Sequence, residues 1–244
     1  LPSGTELLLE VGNLVDAAPG VLRTLAAGGV AGRVPPLLAR LGGALAAQGV
    51  DLTQVLSIFS GQSAVAVTAA RNGTVRSGLV ILTRTSNPRR ARLTLANLEG
   101  PLAQLFPPPS SGPGQAPEWL DVHLGGITIH QLAVASGLNL DYSVFGHLVA
   151  VATSLDSIAA IARHRRALDQ DRTYRAVLGG LSSDVSSLLF LDFSHVLGLG
   201  KQTGLIGGAL YRRLGPDLAK IRAVGLHSMA GQDDTTAELL LDIP

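Results

Sequence analysis

Two segments that lie far apart in the chain follow one pattern of residues, and this pattern limits the possible folds most. Residues 5–16 (TELLLEVGNLVD) align without gaps to residues 187–198 (SLLFLDFSHVLG), with Glu10 matching Asp192. Each segment opens with a short, nearly continuous apolar run, which is typical of a strand covered on both faces. Helical sequence and then a two-stranded hairpin follow each one, so the pattern predicts a duplicated β-α-β-β unit.

The hairpins determine the predicted class of fold. In the first copy, residues 63–70 alternate, Asn72-Gly73 supplies a turn and residues 75–83 return. In the second copy, residues 221–229 and 235–243 form the equivalent pair. Hairpin strands are antiparallel neighbours, and helices with one apolar stripe must pack on a sheet. The sequence therefore predicts an α+β fold with a mainly antiparallel sheet, helices packed on it and an internal duplication.

The middle of the chain adds further elements. Asn87 is a predicted N-cap, with Pro88 as the first helical residue. Residues 127–134, 139–145 and 148–153 are predicted strands, and Gly146-His147 is predicted to form a tight turn. Residues 107–117 (PPPSSGPGQAP) form a predicted linker. We expect one domain over residues 1–244, made of pseudo-repeats at about 1–106 and 118–244 and joined by this linker.

Composition excludes several classes of function. The 244 residues are 46% hydrophobic but only 4% aromatic and 15% charged, which predicts an aliphatic core. The net charge of +1 argues against a nucleic-acid partner. The chain has no cysteine, which excludes disulfides and cysteine-ligated metal sites, and no cofactor or metal is expected. The longest charge-free run, residues 52–70, is too polar for a membrane span.

The succession of motifs resembles a known family. It runs through TELLLEVG, GQSAVAV, NPRRARLTLANL, FGHLVAVATSLDSIAAI, DRTYRAVLGGL, SSLLFLDFSHVLGL and DDTTAELLLDI. Over essentially its whole length the chain resembles domain-of-unknown-function family 3352, an actinobacterial-type family. The resemblance implies an extracytoplasmic or cell-envelope domain behind an N-terminal anchor or signal that is not present in this chain. It supplies no catalytic residues.

One stretch has the residue types of a nucleophile system. Asp192, Ser194 and His195 follow one another within four positions. A catalytic triad is defined by geometry, which closeness in sequence does not provide. The competing interpretation is that Ser194 caps the next helix and Asp192 supports that turn. We expect no catalytic residues here, and a hydrolase using Asp192, His195 and His227 is the alternative.

Each of the other candidate site residues can also be explained by a structural role. His227 lies in the middle of a predicted strand, where it is more often a packed residue than a base. Asp121, His123 and His130 include metal-ligand types, yet no known metal-site spacing appears. Asp233-Asp234 suits a hairpin turn, and residues 163–166 (RHRR) suit a solvated helix end.

These observations rank the possible functions. High hydrophobicity without a membrane span, together with the lack of a catalytic constellation, favours a non-enzymatic binding or scaffold domain. An aliphatic groove between sheet and helices is its expected site. The expected partner is a lipid-like ligand, a membrane surface or an envelope protein.

Overall fold

The computed structural model describes residues 1–14, 43, 46–47, 49–50, 52–68, 78–105, 118–135, 138–163, 167–181, 185–202, 215–230 and 235–243. The strands are β1 (Thr5–Val11), β2 (Ser63–Thr68), β3 (Gly78–Arg84), β4 (Trp119–Leu124), β5 (Ile127–Ala135), β6 (Leu138–Phe145), β7 (Leu148–Ala152), β8 (Ser187–Asp192), β9 (Ala223–Ala230) and β10 (Thr235–Asp242). The helices are α1 (Leu52–Ser57), α2 (Pro88–Leu105), α3 (Leu155–Ala162), α4 (Arg172–Leu178) and α5 (Phe193–Gln202).

The strands form a ten-stranded sheet in the order β10-β9-β8-β1-β2-β3-β7-β6-β5-β4. Every strand pair with a described register is antiparallel. The prediction of an α+β fold with a mainly antiparallel sheet is therefore confirmed. The predicted linker, the Asn72-Gly73 turn and Asp233-Asp234 lie outside the described residues.

The chain divides into two compact units. Unit 1 contains Leu1–Val11, Val65–Leu79 and Arg163–Pro244, and unit 2 contains Gly12–Ala64 and Val80–Ala162. The expectation of a single domain with two pseudo-repeats stays a prediction.

Unit 2 has its core between α2 and its strands. Ala91, Leu95 and Leu98 recur at helical spacing along α2 and pack in one cluster with Tyr142 and Val149. The helix begins as predicted, because the backbone N–H of Arg90 donates to the Asn87 side chain at 3.0 Å, which satisfies a free helix-end donor.

Glycines in left-handed conformation close two hairpins of unit 2. Gly125 and Gly126 have φ values of 65° and 83° and join β4 to β5 in a two-residue turn that suits strand twist. Gly146 has a φ of 53° between β6 and β7, which confirms the predicted tight turn. The strand β4 was not predicted from the sequence, and it pairs with β5 along its length.

In unit 1, α4 packs on the strands β8, β9 and β10. Asp171 caps this helix by accepting from the backbone N–H of Thr173 at 2.8 Å. The Tyr174 ring meets the Phe190 ring edge to face, with centroids 5.2 Å apart. A Cβ on Gly225 would lie 3.0 Å from side-chain atoms of both Val177 and Leu178, so α4 approaches the sheet closely because this position is glycine.

Candidate functional site

Eight aliphatic side chains share one face of the unit 1 strands. They form two rows across β1, β8, β9 and β10, because residues that pair directly across antiparallel strands point to the same side. The first row is Leu7, Leu191, Val224 and Leu241, and the second row is Leu9, Leu189, Leu226 and Leu239. We call this set the aliphatic face.

None of these eight side chains is buried. Leu239 is 62% exposed, Leu241 47% and Leu226 37%, whereas the other five are half-buried. Leu8 and Phe190, which point to the opposite side of the same strands, are only 4% and 1% exposed. The two apolar strands are thus fully covered on the side of Leu8 and Phe190 and only partly covered on the side of the aliphatic face, where Thr5 and Val11 of β1 are buried.

A third row lies next to the aliphatic face and contains two serines. It consists of Val11, Ser187, Ser228 and Ala237. The Ser187 and Ser228 hydroxyl oxygens are 2.7 Å apart, and the Ser186 hydroxyl is 2.9 Å from that of Ser228. We call these three residues the serine cluster. It places hydrogen-bonding groups at one end of the aliphatic face.

The contacts of Asp192 are those of a residue that caps a helix. Its carboxylate accepts from the Ser194 hydroxyl at 2.8 Å and from the backbone N–H of His195 at 3.1 Å. Since α5 begins at Phe193, Asp192 is its N-cap. The expectation that Ser194 provides the cap is wrong, because Ser194 is the second residue of the helix and the carboxylate of Asp192 accepts from the free N–H of His195.

The His195 ring contacts a different acid. Its Nε2 is 2.9 Å from the Glu6 carboxylate, and the side chains are 53% and 6% exposed respectively. Glu6 was not among the residues predicted for a site, because it lies about 190 positions away along the chain. This contact places the ring on a nearly buried carboxylate of β1.

His227 lies apart from Asp192 and His195. It pairs with Leu188 on β8, whereas Asp192 pairs with Ala223, so four residues, or about 13 Å, separate the two positions along the sheet. The His227 Nε2 is 3.4 Å from Glu238, and its Nδ1 is buried without a hydrogen-bond partner in the described structure. The three residues of the hydrolase alternative therefore do not form one constellation.

In unit 2, two of the three metal-ligand candidates meet. Asp121 pairs with His130 across β4 and β5, and the His130 Nδ1 is 2.8 Å from Asp121 Oδ1. The same nitrogen is 3.3 Å from Glu99 on α2. His123 pairs instead with Thr128 and is exposed. Glu99 was missed, because helical periodicity does not show which strand residue faces it.

Tyr142 holds this group of side chains together. Its hydroxyl donates to Glu99 at 2.5 Å, and its ring stacks on that of His130 with centroids 4.6 Å apart. Burial, followed by the hydrogen bond to Glu99, raises the pKa of Tyr142 above its ordinary range, so the phenol remains a donor. Trp119 donates its indole N–H to the backbone carbonyl of Glu99 at 2.8 Å.

Asp141 is a buried acid elsewhere in unit 2. It has no exposed surface, and its Oδ1 accepts from the Gln131 side chain at 2.9 Å. Its Oδ2 is buried without a hydrogen-bond partner in the described structure. Burial raises the pKa of Asp141 to about 6, against the opposing effect of the Gln131 hydrogen bond.

In the described part of the chain, no three or more His, Asp or Glu side chains are grouped to hold a metal ion. None of the described helices has the length and apolarity needed to cross a bilayer. Of the basic run at 163–166, only Arg163 lies within the described residues, and it is exposed.

Comparison with known proteins gives distant matches only. No protein-family model matches the chain, and no curated protein is significantly similar to it. A solved structure of TP0453, crystal form III, is 14% identical with a TM-score of 0.41, and the match covers 99% of this chain and 77% of that chain. Crystal form IV of TP0453 is 13% identical with a TM-score of 0.44, over 97% and 76% of the two chains. Likeness at this level carries no argument about function.

Proposed function

We propose that this chain is a non-enzymatic binding domain, and that its aliphatic face takes the hydrocarbon part of a lipid-like ligand. The observation that carries the proposal is the set of two continuous aliphatic rows that all retain exposure to solvent. Contiguous exposed apolar surface on a folded protein marks a site that binds another apolar surface.

The composition of the face favours a hydrocarbon chain over a protein partner. The cores of protein interfaces are enriched in tyrosine, tryptophan and arginine, which anchor the partner. The eight side chains of the aliphatic face are seven leucines and one valine, with no ring and no charge. Such a surface offers dispersion contacts and exclusion of water, which suit an alkyl chain.

The expected affinity follows from buried area. Each methylene group that is fully removed from water contributes about 0.8 kcal/mol, so a chain of about ten carbons, half buried, contributes about 4 kcal/mol. That corresponds to a Kd of about 1 mM. Tighter binding requires either deeper burial of the chain or a contribution from its polar end.

A fluorescence titration with the uncharged probe N-phenylnaphthylamine tests the proposal. We expect saturable binding, weakened at least tenfold in Leu226→Lys and in Leu239→Lys, because a lysine ammonium on the face disfavours an apolar ligand. Leu93→Lys is the matched control, since Leu93 is 67% exposed on α2 in unit 2. Absence of binding by the wild-type protein, or equal binding by all variants, would refute the proposal.

The internal duplication belongs to the proposal as well. In the sequence alignment Leu8 corresponds to Phe190, and these two residues pair directly across β1 and β8. The flanking pairs, Leu7 with Leu191 and Leu9 with Leu189, exchange under the same alignment. A local two-fold relation between duplicated strands produces this register. In the strand order, β2 and β3 follow β1 as β9 and β10 follow β8.

The envelope location implied by the family resemblance is proposed with it, including an anchor outside these residues. Fractionation of the native host, followed by detection of the protein in the membrane or the soluble fraction, tests the location. Recovery from the cytosol would refute it without affecting the binding proposal.

A further inference from the structure

The serine cluster contains three short oxygen–oxygen contacts, and the number of hydroxyl protons limits which atoms can donate in them. The Ser186 hydroxyl donates to the backbone carbonyl of Ser228 at 3.0 Å, which uses its single proton. The Ser186 and Ser228 hydroxyl oxygens are 2.9 Å apart, those of Ser187 and Ser228 are 2.7 Å apart, and either atom of each pair could donate. All three contacts are hydrogen bonds at the same time only in the arrangement in which Ser228 donates to Ser186 and Ser187 donates to Ser228.

In this arrangement all three hydroxyl protons are used within the cluster. Only oxygen lone pairs remain for a hydrogen bond to a ligand. Ser187 Oγ accepts no hydrogen bond within the cluster, and Ser187 is half-buried on the same side of the sheet as the aliphatic face. A ligand group that meets this oxygen must therefore donate a proton. Hydroxyl groups can do so, whereas ionised carboxylates and phosphodiesters are acceptors only.

The absence of charged residues from the three rows also favours an uncharged headgroup. Across the twelve positions of the two aliphatic rows and the serine row there is no lysine, arginine or histidine, and no acid. An anionic headgroup placed over these twelve positions would lose hydration without meeting a cation on them, and burial of an unpaired charge is costly. An uncharged headgroup avoids that cost.

We propose that the ligand is an amphiphile with an uncharged headgroup bearing hydroxyl groups, of the monoacylglycerol class, and that Ser187 accepts from this headgroup. This inference rests on the proposed binding of a hydrocarbon chain at the aliphatic face. Ser187, Leu189 and Leu191 follow one another along one face of β8 over about 13 Å, which accommodates an extended chain of about ten carbons.

Two probes with the same chain separate the headgroup from the hydrocarbon part. Isothermal titration calorimetry at pH 8 compares monodecanoylglycerol with decanoate, which is ionised there. We expect the glyceride to bind at least tenfold tighter. Ser187→Ala should weaken glyceride binding about fivefold, the equivalent of one hydrogen bond, and leave decanoate binding unchanged. Ser60→Ala, an exposed serine of unit 2, is the matched control.

The outcomes distinguish the two proposals. Equal affinity for the two probes, tighter binding of decanoate, or a glyceride affinity that Ser187→Ala does not change would overturn the headgroup assignment and leave hydrocarbon binding standing. Failure of both probes to bind, with unaltered circular dichroism, would overturn binding at the aliphatic face itself.

Discussion

Asp141 gives the sharpest stability prediction, because the structure buries an acid with one oxygen unpaired. The carboxyl has no exposed surface, and among the described residues its side-chain partner is Gln131. Replacement by asparagine keeps the shape and the oxygen that accepts from Gln131, and it removes the ionisable group. Asp141→Asn therefore isolates the cost of keeping a charge at this position.

The sign and size follow from the pKa of Asp141, which burial raises from 3.8 to about 6 in the folded protein. The folded state binds the proton more tightly than the unfolded state, so the free energy of unfolding is highest below about pH 4 and falls as pH rises to about 6. A difference of about two pKa units corresponds to about 3 kcal/mol. Asp141→Asn should be more stable than the wild type at pH 7 by up to about that amount.

Urea unfolding between pH 4 and pH 8, followed by tryptophan fluorescence, measures this effect. Trp119 is the only tryptophan and lies in unit 2 with Asp141, so the signal reports on the unit that contains the change. Glu118→Gln, an exposed acid of the same unit, is the control and should retain the wild-type pH dependence. The reasoning is refuted if Asp141→Asn keeps the wild-type slope with pH, or is less stable than the wild type at pH 7.

Three further changes test other contacts. Gly225→Ala should lower thermal stability by about 1–2 kcal/mol through overpacking against α4, measured by far-ultraviolet circular dichroism, whereas Gly198→Ala, with open space at its Cβ, should not destabilise. Tyr142→Phe should cost about 1–2 kcal/mol in urea unfolding, because it removes the hydroxyl that donates to Glu99; no loss of stability would contradict that bond. His195→Ala should leave hydrolysis of p-nitrophenyl esters at the buffer rate shown by the wild type; enzyme-dependent hydrolysis that this change abolishes would instead support the hydrolase alternative.

The strands and turns were accessible from the sequence because their signals are local. Alternation in residues 63–70, the Gly146-His147 turn and the Asn87-Pro88 helix start depend on neighbouring residues only, and all three regions have the expected structure where they are described. The cap at α5 was assigned to the wrong neighbour, because sequence does not show whether Asp192 or Ser194 reaches the free N–H.

The candidate site was harder to predict from the sequence, because it depends on which residues pair across neighbouring strands. A leucine-rich strand such as β1 has nearly the same composition on both sides, so its sequence does not reveal that Leu8 is buried whereas Leu7 and Leu9 retain exposure. Only the pairing of β1, β8, β9 and β10 aligns these positions into rows. The serine cluster has the same origin, since Ser187 and Ser228 are 41 residues apart and adjoin only through that register.

Methyl-resolved NMR of the leucine and valine side chains, during titration with monodecanoylglycerol, tests binding at the aliphatic face most directly. We expect shifts that saturate and are concentrated on Leu189, Leu191, Leu226 and Leu239, while Leu95 and Leu98 in the unit 2 core do not move. A spectrum that stays unchanged, or shifts centred on the unit 2 core, would contradict the account.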